Sequence, residues 1–352
     1  MINPYTGVIM KKLNYLAVVL CAVFAATYLS AKTPPPYRFH KNPELYLKVQ
    51  SEHLFEVVDE ALDAYPPVVG YDLNRRLALT SLDALLHDMR NDNSEAAWDF
   101  IDSRMKKFVA SLEAPHKRGL RIYKVYNEAV IARTKSVTIA FDIARGRFRG
   151  LHDPIIPNEV VAKIVAQSDI LFLSHNHRDH VDRYVVEQFL KEGKRVVAPH
   201  DILPDVTEIL HYRNDDTHEK VVIPLKRGKS LSVTIYPGHQ GKLSNNIYVV
   251  TTPEKYVVAH SGDQDHRADL EWLATVKESS PRIDAFLLNA WTRFGLPKIV
   301  EGFDARYVFT GHENEMGHSI DHREAFWLTF SKFEPLDCRY VVMAWCESFL
   351  IK

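Results

Sequence analysis

After residue 119 the chain alternates short apolar runs with amphipathic segments, and nothing else in it narrows the fold so far. "LRIYKVYNEAVIART", "SVTIAFDI", "DILFLSH", "KRVVAPH", "KSLSVTIYPGH", "NNIYVVTT", "KYVVAHSGD", "DAFLLNA" and "ARYVFTGH" are strand-like. "PNEVVAKIVAQ", "VDRYVVEQFLKEG" and "HREAFWLTFSKF" have helical spacing. Strands interleaved with helices pack as sheets with helices outside, so the expected class is α/β. No repeat of solenoid length and no low-complexity tract is visible.

The text before this region is helical. Asn42 can cap, Pro43 suits a first helical position, and Leu47, Leu54, Val58, Ala61 and Leu62 recur on one face. "YPPVVG" stops that helix, and "LNRRLALTSLDALLHDMR" fits a second. A third starts near Asn93 or Ser94, with Trp98, Ile101, Met105, Phe108, Val109 and Leu112 at helical spacing. Such apolar stripes are packing faces. Residues 32–118 are therefore expected to form a small helical segment docked on a main domain of residues 119–352.

Residues 1–31 have a different purpose. "MKKLNYLAVVLCAVFAATYLSAK" begins at Met10, carries Lys11 and Lys12, and ends its apolar stretch with the small residues Ser30 and Ala31. This is a secretory signal pattern with cleavage after Ala31, and either Met1 or Met10 serves as start. The expected location is secreted or periplasmic. An uncleaved membrane anchor is the competing reading, against which the short run from Leu13 to Leu29 and its Asn14, Tyr15 and Thr27 count. Cys21 leaves with the signal. Cys338 and Cys346 lie in "CRYVVMAWC", read as one strand, which would hold them roughly 26 Å apart and beyond disulfide reach.

A formal net charge of -1 gives no electrostatic reason to expect nucleic acid as partner. The 17 histidines are the compositional outlier. Three of them crowd into "SHNHRDHVD", after the buried run "DILFL": His175, His177 and His180, with Asp179 between. Neutral imidazole and carboxylate are natural ligands of zinc, iron and manganese. Four such groups in a six-residue loop cannot all reach one ion comfortably. The alternation suggests that His175 and His177 serve a first metal, and Asp179 and His180 a second. The remaining ligands are expected past later strands, at His239 in "YPGH", Asp263 in "SGD" and His312 in "FTGH". The first metal then takes His175, His177 and His239, the second takes Asp179, His180 and His312, and Asp263 bridges. "GHENEMGHSIDH" offers His318 and His322 as rivals to His312, which is favoured for its place at a strand end. His260 and His266 flank Asp263. Asp182 is a candidate to support a ligand imidazole, and His200 a candidate to line the rim.

HxHxDH, then a His, an Asp in "HSGD" and a late His resemble the metallo-β-lactamase superfamily over residues 120 to about 322. "AHSGD" is similar to the branch of ascorbate-phosphate lactonases and N-acylphosphatidylethanolamine phospholipase D. The resemblance implies an αββα sandwich, here preceded by the helical segment, with the metals at one edge of two sheets. It also implies two divalent ions, with zinc expected and manganese or iron as other ions this donor set accepts. Asp263 at the bridging position argues against zinc β-lactamases proper, where cysteine is typical.

The reaction expected of such a site is hydrolysis by a dinuclear-metal-activated hydroxide, oriented by Asp179 and Asp263. The expected substrate is a phosphodiester, including a phospholipid-type one, or else a lactone or other cyclic ester or amide. A non-catalytic metal-binding module is the reading from a different class. A small-molecule or lipid substrate is the expected partner; membrane contact, oligomeric state and the leaving-group acid are left open, with His318 a candidate for the last.

Overall fold

The computed structural model describes residues 39–151, 153–212 and 218–352. The signal pattern, its cleavage point and Cys21 lie outside the described residues. No helix among the described residues is long and apolar enough to cross a membrane. The chain divides into two compact units, residues 1–50 and 51–352. Of the first unit, residues 39–50 are described, and they include the opening turns of helix α1 (Pro43–Ala64). All remaining elements belong to the second unit.

The other helices, in order, are α2 (Leu73–Leu86), α3 (Glu95–Glu113), α4 (Asn158–Gln167), α5 (Arg183–Lys191), α6 (Leu270–Leu273), α7 (Val276–Ser279), α8 (Leu296–Phe303) and α9 (Phe326–Phe333). Their starts follow from short polar side chains. Asp72 accepts from Arg75 N, Ser94 from Ala97 N and Asp182 from Tyr184 N, each satisfying a helical N–H that has no partner inside its helix.

Two seven-stranded sheets form the centre. The first contains β1 (Leu120–Tyr126), β2 (Ala129–Arg133), β3 (Thr138–Phe141), β4 (Ile170–Phe172), β5 (Arg195–Pro199), β6 (Leu210–Tyr212) and β14 (Glu347–Ile351) in the order β14-β1-β2-β3-β4-β5-β6. The second contains β7 (Glu219–Pro224), β8 (Ser230–Gln240), β9 (Leu243–Thr251), β10 (Val257–His260), β11 (Ala285–Asn289), β12 (Val308–Gly311) and β13 (Tyr340–Val341) in the order β13-β12-β11-β10-β9-β8-β7. The run β3-β4-β5-β6 is parallel, and so is β10-β11-β12-β13.

Alternate residues explain the layers. Ile122, Ile139, Phe141, Ile170 and Phe172 meet Val233, Ile235, Tyr248, Val250 and Val258 in one dry cluster between the sheets. Their neighbours Tyr123, Ala140, Leu171, Val249 and Phe286 face outward into a second cluster that includes the helices. The αββα sandwich expected from the resemblance is the arrangement found. Helices α2 and α3 bury Leu79, Leu82, Phe100 and Phe108 in that same outer cluster. Arg75 and Arg104 from these helices meet Glu347 at the start of β14, all three nearly without exposure.

The structure corrects the reading of "CRYVVMAWC" as one strand. Tyr340–Val341 pairs with β12 in the second sheet, and Glu347–Ile351 pairs with β1 in the first. The residues between cross from one sheet to the other, and Cys346 takes a left-handed φ of 63°. They are apolar because they cross through the core, and a fully buried crossing cannot be told from a buried strand by periodicity. Both thiols are free.

Candidate metal centre

Strand ends converge on one rim. The loop after β4 brings His175, His177, Asp179 and His180, the turn after β10 brings Asp263, and the residue after β12 is His312. Ligand atoms of Asp179, His180, Asp263 and His312 lie within 4.8 Å of one another, and so do those of His175, His177 and Asp263. Asp263 belongs to both groups. Its Oδ2 faces His175 Nε2 at 3.8 Å, His180 Nε2 at 3.3 Å and His312 Nε2 at 3.3 Å. Its Oδ1 accepts from Asn289 Nδ2 at 2.8 Å, while Gln240 Nε2 donates to Oδ2 at 3.0 Å. Asp179 Oδ2 completes the second group, 3.4 Å from His180 Nε2 and 3.3 Å from His312 Nε2.

The sequence folds this way locally for steric reasons. Gly262 has φ +51°, and a Cβ there would lie 2.4 Å from both Ser174 Cβ and Asn245 Oδ1. Only glycine lets the β10 turn approach the histidine loop so closely. His312 takes φ 69°, a left-handed conformation that costs a non-glycine residue about 1–3 kcal/mol, and Asn314 follows at φ 57°.

The ring tautomers are fixed from behind. Asp142, fully buried after β3, accepts from Ser174 N at 2.7 Å, Ser174 Oγ at 2.6 Å and His180 Nδ1 at 2.8 Å. With its proton committed to Asp142, Ser174 Oγ accepts from His175 Nδ1 at 3.0 Å. His175, whose pKa burial and then His180 lower to about 3, turns an Nε2 lone pair toward Asp263, and His180 Nε2 faces the same carboxylate and would offer its lone pair once deprotonated; both atoms are buried without a hydrogen-bond partner. Buried lone pairs facing buried carboxylates are the donor arrangement of a cation site, and a carboxylate behind a ligating imidazole is its usual support. The electrostatics agree. Burial lowers the pKa of His180, but Asp263, Asp179 and Asp142 more than reverse this and hold it well above its ordinary value. Burial opposes charge on Asp179 and on Asp263 as well, yet His180 and His312 hold both carboxyls well below the usual range. Protons on these rings and a divalent cation would fill the same role.

His239 sits differently from the expectation that groups it with His175 and His177. Its Nδ1 lies 3.1 Å from Asp269 Oδ2, and its cluster is His239, His266 and Asp269. Asp269 engages Nδ1 and leaves Nε2 as the open ring nitrogen. His312, rather than His318 or His322, joins the carboxylates; His318 and His322 instead contact Trp291, with ring centroids 5.8 Å and 4.6 Å away. Asp182 supports no ligand imidazole. It caps α5 and accepts from Arg145 Nε at 2.7 Å. His200 is exposed in the loop after β5.

Four supporting residues escaped the sequence reading. Asp142 had the same signal as the ligands, an acid directly after an apolar run, in "TIAFD". Asn289 ends β11 in the same manner. Asn127, at φ 48° in the β1–β2 turn, donates from Nδ2 to Asp179 Oδ2 at 3.3 Å. Glu128 beside it is buried, and burial together with Asp263 pushes its carboxyl up to about 8. Nothing in the sequence near 127 points to a site 50 residues away.

No family model matches the chain, and no curated protein matches it. Solved structures do. Igni18, a metallo hydrolase from the archaeon Ignicoccus hospitalis, is 14% identical, covers 66% of this chain and 99% of its own, and has a TM-score of 0.49. CmlA, a diiron β-hydroxylase from Streptomyces venezuelae, is 15% identical over 78% of this chain and 60% of its own, with a TM-score of 0.48. An isothiocyanate hydrolase from gut bacteria of Delia radicum is 12% identical over 66% of this chain and 99% of its own, with a TM-score of 0.46. Each TM-score lies below one half, so function is read from the site itself.

Proposed function

We propose that this protein is a metal-dependent hydrolase of the metallo-β-lactamase superfamily that holds two divalent ions and cleaves an ester bond, a phosphodiester first. The observation that carries the reading is that Asp263 belongs to both ligand groups: its Oδ2 faces the buried Nε2 atoms of His175, His180 and His312, and the exposed His177 joins the first group. His175 and His177 would hold one ion together with Asp263; His239, which lies in a separate group with His266 and Asp269, would join them only by turning its open Nε2 toward the same ion. Asp179, His180 and His312 would hold the other. Zinc suits this mixed nitrogen and oxygen set, as do manganese and iron. Two such ions, when bound, make a water nucleophilic near neutral pH and polarise the bond under attack.

The chain's own groups divide the remaining work. Asp179 and Asp263 would accept a hydrogen bond from the attacking water and aim it. Asn289 and Asn127 hold those carboxylates in place. His318 lines a cavity together with Asp179, and burial and then His312 lower its pKa. Its place beside Asp179 makes it one candidate to deliver a proton to a leaving group, although the lowered pKa favours the neutral ring; a water at the metal centre would be the other source. Export to the periplasm or beyond belongs to the same proposal and rests on the N-terminal pattern of residues 10–31 alone.

The test is hydrolysis by residues 32–352 of a phosphodiester reporter and of a lactone reporter, each with zinc, with manganese and with chelator. Chelator-sensitive phosphodiester cleavage supports the reading. Lactone cleavage alone moves the substrate to cyclic esters. Bound metal at two equivalents with no hydrolysis of either reporter would leave a metal-binding module in place of an enzyme.

A further inference from the structure

Beside the ligand group lies a cavity of about 490 Å³ lined by Asp179, His318 and four arginines, Arg145, Arg147, Arg178 and Arg183. The arginines are not equivalent. Arg145 is committed, with Nε 2.7 Å from Asp182 Oδ2, Nη1 3.0 Å from Asn158 Oδ1 and its guanidinium 4.3 Å over the Tyr184 ring. Arg183 is paired with Asp205 at 2.9 Å. The Arg147 and Arg178 side chains meet no carboxylate or carbonyl among the described residues.

The cavity's own acids do not answer that charge. Asp182 is held by Arg145, and Asp179 faces His180 and His312. Glu315 accepts from the Tyr126 hydroxyl and from Gly317 N. Two guanidinium groups are left over, at the edge of a donor group that is itself built for cations.

Arg147 is also held in place. Its loop is closed by Ile155 N to Gly146 O and Ile156 N to Arg145 O, and is pinned to the other rim by Arg149 N to Met316 O. Gly146, at φ +61°, lies so close to Tyr126 that a Cβ would sit 2.4 Å from its ring. That tyrosine in turn accepts from Met316 N at 2.8 Å. The backbone that carries Arg147 is thus held, so a ligand would have to order only its half-buried side chain and not the loop.

We propose that Arg147 and Arg178 form an oxyanion subsite beside the metal centre, so that the substrate carries a carboxylate or phosphate separate from the bond that is cleaved. The planar fork of guanidinium fits either group through paired hydrogen bonds. The inference rests on the hydrolase reading for the word substrate, but anion binding by these residues is separable from catalysis.

Two experiments keep the readings apart. Inorganic phosphate is titrated calorimetrically against the metal-loaded protein and against protein treated with chelator, in parallel with Arg178→Gln and with Arg147→Gln/Arg178→Gln. Arg178 is exposed, so its single variant folds whatever happens to the double one. The expected result is phosphate binding that survives chelation and weakens about ten- to a hundredfold for each arginine lost. Binding that vanishes with the metal and ignores both arginines, or no binding at all, overturns the proposal. In the second experiment, three ester reporters differing only in a neutral, carboxylate or phosphate substituent are compared by kcat/KM. An anionic-to-neutral ratio above about ten, which falls in Arg178→Gln through KM, is expected. A ratio near one sinks the subsite. If no reporter is hydrolysed, the hydrolase reading fails while the phosphate titration still decides the subsite.

Discussion

Replacing Asp142 with Asn tests the logic of the centre more sharply than removing a ligand. The side chain has no exposure and accepts three hydrogen bonds, two from Ser174 and one from His180 Nδ1. An amide of the same shape keeps one acceptor, which can still serve Ser174 N. Its NH2 then faces His180 Nδ1 and Ser174 Oγ. Two donors cannot share that contact, so His180 must move its proton to Nε2. The lone pair directed at Asp179 and Asp263 is lost. A charge-assisted hydrogen bond contributes about 1.5–3 kcal/mol. That range corresponds to roughly ten- to a hundredfold in metal affinity, the usual cost of removing a carboxylate behind a ligating histidine. The assay is competition against a chromophoric chelator, with two-site fitting, beside a thermal melt. Asp182→Ala is the matched control. It removes a helix cap at a cost of about 1 kcal/mol but should leave metal affinity alone. Unchanged affinity in Asp142→Asn, or an equal loss in Asp182→Ala, would refute the tautomer argument.

The same geometry sets other outcomes. Asp263→Asn should lose at least one metal equivalent by elemental analysis and nearly all hydrolysis, because one carboxylate oxygen faces both histidine groups. His312→Ala should lower metal stoichiometry while His318→Ala retains it, since only the former ring meets Asp179 and Asp263. Glu347→Ala should cost about 3–5 kcal/mol in urea unfolding, because it leaves Arg75 buried without a carboxylate, while Arg104 keeps Asp59 and Asp63; a loss below about 1 kcal/mol would show that solvent reaches Arg75.

Much of this was legible from residue order. The apolar runs of β4, β10 and β12 each lead into polar residues at the converging rim, so His175, Asp263 and His312 could be placed from the sequence. The chemistry of the cluster is local, and local text records it. Three things were not legible. The crossing of residues 342–346 between the sheets reads as a strand because both conditions demand apolar side chains. The role of Asp182 was misjudged because position cannot say which of two nearby acids, Asp142 or Asp182, turns toward His180. The third is the reach of the β1–β2 turn. Asn127 and Glu128 arrive at the site through sheet pairing, which has no footprint in their own neighbourhood.

The helices before the sandwich gain a specific meaning from one contact set. Asp83 of α2 accepts from Asn314 Nδ2 at 2.8 Å, Phe326 N at 2.9 Å and Trp327 N at 3.0 Å. His87, just past α2, donates from Nε2 to Asn314 Oδ1 at 2.8 Å, and Arg323 Nη1 donates to Leu86 O at 2.9 Å. These bonds all close on the segment that begins with His312. The left-handed backbone of His312 and Asn314 is costly and needs outside restraint, and α2 supplies it. Asn314→Gly isolates this restraint. Glycine adopts the left-handed conformation freely, so the backbone is spared while both side-chain ties to α2 are cut. The expected result is weaker metal binding in the His312 group, about tenfold, with little loss of secondary structure by circular dichroism. If affinity holds, the backbone alone fixes His312, and α2 acts on the fold and not on the centre.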